Sequence, residues 1–246
     1  FKNQSTIKYN IIMVFLSFFL ILISGERTAL GNFIIFLCFY FLIERKYLLW
    51  FLLSIMIVFL ITFQFKKESL DRTINHTIQQ SAYETNNLVI FSLRHTLHYY
   101  TAFQIFKDHP ISGSGIKSFR ELCSEKKYTD KIDEIYAESM AELKLVDGCN
   151  THPHHIYIQF LSEIGLIGFS LFASIFLYIT YNLYVLFKIA LKSGLNQKNY
   201  ANYFFLLTVF ISMFPLLPSG NYFNNWYIFI NYFPIGFYLA NKISKI

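Results

Sequence analysis

At 246 residues the chain has room for one or two soluble domains, yet 54% of it is hydrophobic, 20% aromatic and only 15% charged, which excludes the ordinary soluble class. The formal charge of +6 would suggest a nucleic-acid partner in a soluble protein, but its placement argues against that: Lys2, Lys8, Arg45, Lys46, Lys188, Lys192, Lys198, Lys242 and Lys245 lie in short segments flanking apolar runs, with only Glu44 opposing them. Charge placed this way sets orientation in a bilayer, so the chain reads as an all-α polytopic membrane protein.

The polar FKNQSTIKYN runs from Phe1 into apolar sequence without a small-residue cleavage site, so no signal peptide is read, and the chain is expected to be the C-terminal piece of a longer protein. Residues 10–23, with Ile7 and Tyr9, reach about the 20 residues that hydrocarbon requires. A shorter return span follows at 30–43 and a full-length one at 47–65. Residues 156–187 can hold an interfacial turn and a span, and 200–217 and 222–240 complete the set of six. The positive-inside rule places the N-terminal stretch, ERKY, KIALKSGLNQK and NKISKI in the cytoplasm. Residues 24–27, 66–153 and 218–225 then lie on the opposite face, which is the periplasm in a bacterium. The expected organisation is three transmembrane helices in 1–65, a mainly helical periplasmic domain in 66–153, and three more helices in 154–246.

Within the outer segment, Leu93, Leu97, Tyr100, Ala102, Phe103 and Phe106 mark an apolar stripe that predicts an amphipathic helix lying on the membrane. HPISGSG ends it with Pro110, Gly113 and Gly115. A second helix is expected over residues 130–145, with Ile132, Ile135, Tyr136, Met140 and Leu143 on its apolar side. Cys38 falls inside a span as a small apolar filler. Cys123 and Cys149 both fall in the outer segment, where an oxidising compartment would allow them to pair.

Polar residues at the edges of apolar runs are the candidates for chemistry. Arg27, in SGERTAL, stands at a span end where a cation has little solvation, so it is functional, a snorkelling arginine, or one paired with the adjacent Glu26. Arg94, His98 and Thr101 share one helical side at spacings of four and three, which suits a helix facing phosphates or a plain solvated face. Lys117 and Arg120 are weaker candidates of the same kind. His152, His154 and His155, in THPHHIYIQFLSEIGLIG, admit three readings: a metal site, although no zinc spacing is completed; general base or electrostatic catalysis; or a loop capping the next helix. Glu163 roughly shares their helical side and could orient a histidine, bind an acceptor, or simply pair with a neighbour. Gly165 and Gly168 suggest close helix packing.

Taken together, SGERTAL, Arg94 in FSLRHTLHYY, DHPISGSGIKSF and THPHHIYIQFLSEIGLIG resemble the O-antigen ligase and polymerase family in order, spacing and membrane context. That family's elements are an SxSR-like turn, an Arg ahead of P-x-x-G-x-G-x-x-F, and HxHN-x-Y-L followed by E-x-G. The resemblance implies a GT-C-like helical bundle in the bacterial inner membrane, active at the periplasmic face. It implies an undecaprenyl-diphosphate-linked glycan as donor, a glycan or lipid A core as acceptor, and no metal or other cofactor. Arg27 and Arg94 would bind the diphosphate, and His154 would activate the acceptor hydroxyl. His155 and His152 stand beside it as the other candidate bases, and Glu163 and His98 as acceptor-binding or supporting residues. Nucleic acid is not expected as a partner; membrane lipid is.

This sequence departs from the family pattern at two places. His155 stands where the family has Asn, and Glu26 precedes Arg27 where a small or hydroxyl residue is usual. Ligase, polymerase and protein-glycosylating activities would share these motifs. A transporter or a structural membrane subunit would have the same apolar spans, but inverted repeats and mid-membrane charges are not seen. The 246 residues alone are expected to be inactive, because both halves of such an enzyme would line the lipid cavity.

Overall fold

The computed structural model describes residues 4–45, 48–65, 92–129, 132 and 148–243, and all regular structure among them is helical. In chain order the elements are α1 (Gln4–Ser24), α2 (Arg27–Ile43), α3 (Leu48–Phe65), α4 (Leu93–Asp108), the single-turn α5 (Phe119–Leu122), α6 (Ile156–Ser193), α7 (Gln197–Ser212) and α8 (Asn225–Ile243). The helix expected over residues 130–145 lies outside the described residues except for Ile132, which packs with Leu93 and Leu97. The chain divides into two compact units, Phe1–Gln79 and Gln80–Ile246.

In the first unit α1 turns into α2 within two residues. Gly25, at φ +67°, supplies the left-handed conformation that reverses the chain, and its N–H is satisfied by the Ile21 and Leu22 carbonyls at 3.2 and 3.3 Å. Glu26 is extended, so α2 begins at Arg27, three residues ahead of the sequence expectation. Arg27 therefore occupies the first helical position. α1 packs on α2 and α3, burying Phe18, Leu22 and Val58 against Phe15, Phe19, Leu30, Phe33 and Ile55. On their other faces these helices expose Met13, Leu20, Leu49 and Leu60, and Cys38 is exposed on α2 rather than filling a core.

In the second unit α4 packs on α6, α6 on α7, and α7 on α8, while α5 touches both α4 and α6. The apolar stripe of α4 belongs to this core, contrary to the expectation of a helix lying on a lipid surface: Leu93, Leu97, Ala102 and Ile105 are buried, and only Phe103 of the stripe is exposed. Ser92 caps the helix by accepting from the His95 N–H at 3.4 Å.

α6 is long and apolar enough to cross a membrane, but it is broken at Gly165 (φ +70°, ψ −166°). At an unbroken turn the N–H groups of residues 166 and 167 would bond to the carbonyls of 162 and 163. Here Leu166 and Ile167 donate instead to Pro110 and Ile111, at 2.8 and 3.3 Å. The vacated Ser162 and Glu163 carbonyls accept from Ser114 and Gly115, at 3.0 and 2.9 Å. The 110–115 loop is thus spliced into the helix and satisfies these four backbone groups at the break. The role expected for Gly165, close packing between helices, is corrected accordingly. It packs against the Ile111–Gly113 backbone, where a Cβ would overlap main-chain atoms.

Candidate active site

The segment entering α6 is pinned from both sides. Gly148, at φ +72°, fits against Thr101 and Leu97 where a side chain would collide. Cys149 is disulfide-bonded to Cys123, with Cα atoms 5.0 Å apart, so the pairing that the sequence allowed is present and anchors residue 149 next to α5. On the other side Ser219 donates its N–H to the His154 carbonyl at 2.9 Å. His154 itself has φ +57°, a left-handed conformation that non-glycine residues adopt only when the surroundings impose it. Tyr157 ties the same region to α7 by donating to the Met213 carbonyl at 2.7 Å.

The histidines divide into two groups. His155 occupies the N-cap position of α6 but its side chain caps nothing. Its Nε2 lies 2.9 Å from the Pro215 carbonyl, which can only accept, so Nε2 carries the proton. Tyr99 packs edge-on against its ring, centroids 5.4 Å apart. His154, by contrast, is the hub of an imidazole cluster. Its ring centroid is 4.1 Å from His152, 5.4 Å from His98 in a stacked arrangement, and 5.6 Å from His95 edge-on.

Burial, with neighbouring cationic groups, keeps His98, His152 and His154 neutral. Desolvation and then the neighbouring His154 push His98 down to about 4, and the same two causes, in the same order, push His152 to about 4. His154 is held below the usual imidazole range first by burial and then by the Arg94 guanidinium. His155 is lowered by burial, partly offset by its bond to Pro215. The arrangement is four close imidazole rings with an exposed arginine at the edge. Among the described residues no group of His, Cys, Asp or Glu has the geometry to hold a metal ion.

Asn150 completes the surroundings of His154. Its Oδ1 accepts from the Thr151 N–H at 2.7 Å, which turns its amide nitrogen toward His154 Nε2, 3.0 Å away.

Glu163 is fully buried, and its carboxylate holds scaffold rather than a histidine. It accepts from the Lys117 and Phe119 N–H groups at 3.1 and 3.3 Å and from Gln159 at 3.2 Å. Gln159 extends the network, donating to Asn221 Oδ1 at 2.8 Å and accepting from the Tyr222 N–H at 3.0 Å. One buried pair on α6 therefore fixes both the 117–119 segment and the α7–α8 loop that holds His154. Lys117 and Arg120 have exposed side chains, and it is the Lys117 main chain that the fold uses.

Of the residues singled out in the sequence, the structure groups His98, His152 and His154 with Arg94 beside them. It sets His155 against Tyr99 and Pro215, and Glu163 in the scaffold. Arg94 is exposed while His98 and Thr101 are buried, so the side of α4 that carries them is not a plain solvated face. Arg27 belongs to the other compact unit, at the start of α2. His95, Tyr99, Asn150 and Ser219 escaped the sequence reading. His95 adjoins Arg94 and Asn150 directly precedes THPHH, so adjacency to motif residues was the signal available.

These features define an all-helical protein with a desolvated imidazole cluster beside an arginine. The O-antigen ligase family model matches residues 12–173, a stretch that contains Arg27, Arg94, the spliced loop, the imidazole cluster and Glu163. The chain belongs to the O-antigen ligase family, whose members are glycosyltransferase-like proteins of the bacterial inner membrane. No match was found among curated proteins or among solved structures.

Proposed function

We propose that this protein transfers a glycan from an undecaprenyl-diphosphate carrier to an acceptor hydroxyl at the periplasmic face of the inner membrane, as an O-antigen ligase or polymerase, without a metal ion. The observation that carries this reading is His154, a desolvated imidazole held neutral within the field of Arg94. A neutral imidazole accepts a proton, and a guanidinium offers phosphate oxygens a planar fork of donors. In the proposed step the acceptor O–H proton passes to His154 as its oxygen bonds to the anomeric carbon of the donor sugar. The bond from that carbon to the diphosphate oxygen breaks, and the electron pair leaves with the diphosphate. Arg94 stabilises the developing charge, and the resemblance of SGERTAL gives Arg27 the same role. The imidazolium then releases its proton to water. Displacement of this kind inverts the anomeric centre.

Membership in an inner-membrane family supports α1, α2, α3, α6, α7 and α8 as membrane-crossing helices, and so do the large apolar side chains they expose, such as Leu60, Leu171, Leu177 and Ile230. Buried polar atoms near the cluster without a protein partner among the described residues, namely His98 Nδ1, Tyr99 OH and Ser219 Oγ, suit a site that receives a polar ligand. The test is transfer in native membranes from an undecaprenyl-diphosphate-linked donor, with and without EDTA. Transfer that persists in EDTA, with inverted configuration, is expected; loss of transfer in EDTA or a retained configuration would contradict the metal-free single displacement.

A further inference from the structure

The amide of Asn150 can face His154 in only one way. Its oxygen is taken by the Thr151 N–H at 2.7 Å, and Thr151 Oγ1 also reaches it, at 3.4 Å. The group directed at His154 Nε2, 3.0 Å away, is therefore the NH₂, which only donates. Nε2 must accept, so the ring proton sits on Nδ1. From this geometry we infer that Asn150 is a positioning residue that selects the Nδ1–H tautomer of His154, keeping Nε2 as the proton-accepting nitrogen until the acceptor hydroxyl displaces the amide and donates to it. This inference rests on the proposed role of His154 as the base.

Three features hold Asn150 to this task. The preceding residue is tied to Cys123 by the disulfide, Gly148 is lodged against Thr101, and His154 cannot recede because Ser219 holds its carbonyl. The ionisable groups facing His154 are Arg94, His95 and His98 on α4 and His152 on its own segment. His95 is itself occupied by Ser92 Oγ at 2.8 Å from its Nδ1. Among the described residues none of these neighbours is a carboxylate, so the amide is the neutral hydrogen-bonding partner seen at Nε2.

A donor on the lone pair of Nε2 stabilises the neutral ring and lowers its pKa; a carboxylate in the same place stabilises Nε2–H and raises it. Asn150→Asp should therefore select the wrong tautomer. The experiment measures the pH dependence of kcat and the acceptor KM for the wild type, Asn150→Asp, Asn150→Ala and His154→Ala in native membranes. Membrane insertion and the Cys123–Cys149 bond are checked by thiol labelling. Asn150→Asp is expected to lower kcat by about 100-fold, the lower end of what a general base contributes, with the acidic limb of its profile moved to higher pH. Asn150→Ala is expected to move that limb upward by less while the acceptor KM stays the same or falls, because no amide has to be displaced. Wild-type kcat and an unmoved acidic limb in both Asn150 variants, with His154→Ala inactive, would overturn the positioning role alone. Full transfer by His154→Ala would overturn the base assignment on which it rests.

Discussion

Gly113 lies backbone to backbone against the turn just ahead of Gly165, at the break in α6, and a Cβ on Gly113 would overlap the Glu163 and Ile164 main chain. Both glycines have positive φ, +72° and +70°, so each contributes conformational freedom and the absence of a side chain at one junction. The junction sets where the post-break part of α6 starts relative to the histidine segment, and four predictions follow from the way the second unit is held together.

Gly165→Ala and Gly113→Ala should each sharply reduce the folded yield and the thermal stability in detergent. Backbone strain alone costs roughly 1–3 kcal/mol, and the overlap adds to it. Gly236→Ala, in α8 with open space around it, serves as the comparison and should be neutral or slightly stabilising, since alanine is the better helix former by about 1 kcal/mol. Thermal stability of Gly165→Ala equal to that of Gly236→Ala would contradict the spliced-loop geometry.

Glu163→Ala leaves the Lys117 and Phe119 N–H groups without their acceptor and takes one of two acceptors from the Gln159 amide. Each buried unsatisfied donor costs roughly 1–3 kcal/mol. Glu163→Gln retains one carboxamide oxygen and should lose markedly less. Protease susceptibility of the 110–119 segment should rise in the order wild type, Glu163→Gln, Glu163→Ala.

The disulfide joins residues 26 apart in sequence, so its removal by Cys149→Ser should cost roughly 3 kcal/mol by loop-closure entropy. Thiol labelling under denaturing conditions should find Cys38 alone reactive before reduction and all three cysteines of the chain after it. Labelling of Cys123 before reduction would show that the bond is absent.

His98 and His152 are both pushed from the ordinary 6.5 to about 4 in the folded state. Between those values the unfolded chain binds more protons, so stability falls as pH drops from about 6.5 toward 4 and levels off below. Thermal unfolding in detergent should show this decline, and His98→Asn should flatten it. A melting temperature independent of pH over that window would mean that the two imidazoles are not desolvated.

Much of this was legible beforehand, and what was missed had physical causes. The apolar runs marked α1, α2, α3, α6, α7 and α8, because membrane-length hydrophobicity needs no tertiary information. The start of α2 was misplaced because the left-handed turn at Gly25 leaves room for a helix immediately after it, which hydropathy does not register. The α4 stripe showed which residues would be buried but not whether lipid or protein would cover them, a question that periodicity cannot decide. The Gly165 break was invisible for the same reason: a glycine within an apolar run reads as packing until the loop that replaces its hydrogen bonds is seen. The central histidine stood out by its motif, whereas His95 and Asn150 gain their importance only from side-chain proximity.

The most direct test of the whole account compares glycan transfer from an undecaprenyl-diphosphate donor in native membranes carrying the wild type, His154→Ala, His155→Ala, Arg94→Ala or Arg27→Ala, each confirmed to insert. The account predicts that His154→Ala and the two arginine variants lose transfer by at least about 100-fold, while His155→Ala loses less because its ring serves the Pro215 contact. Transfer at the wild-type rate by His154→Ala and Arg94→Ala would contradict it and leave the imidazole cluster a structural feature of the fold.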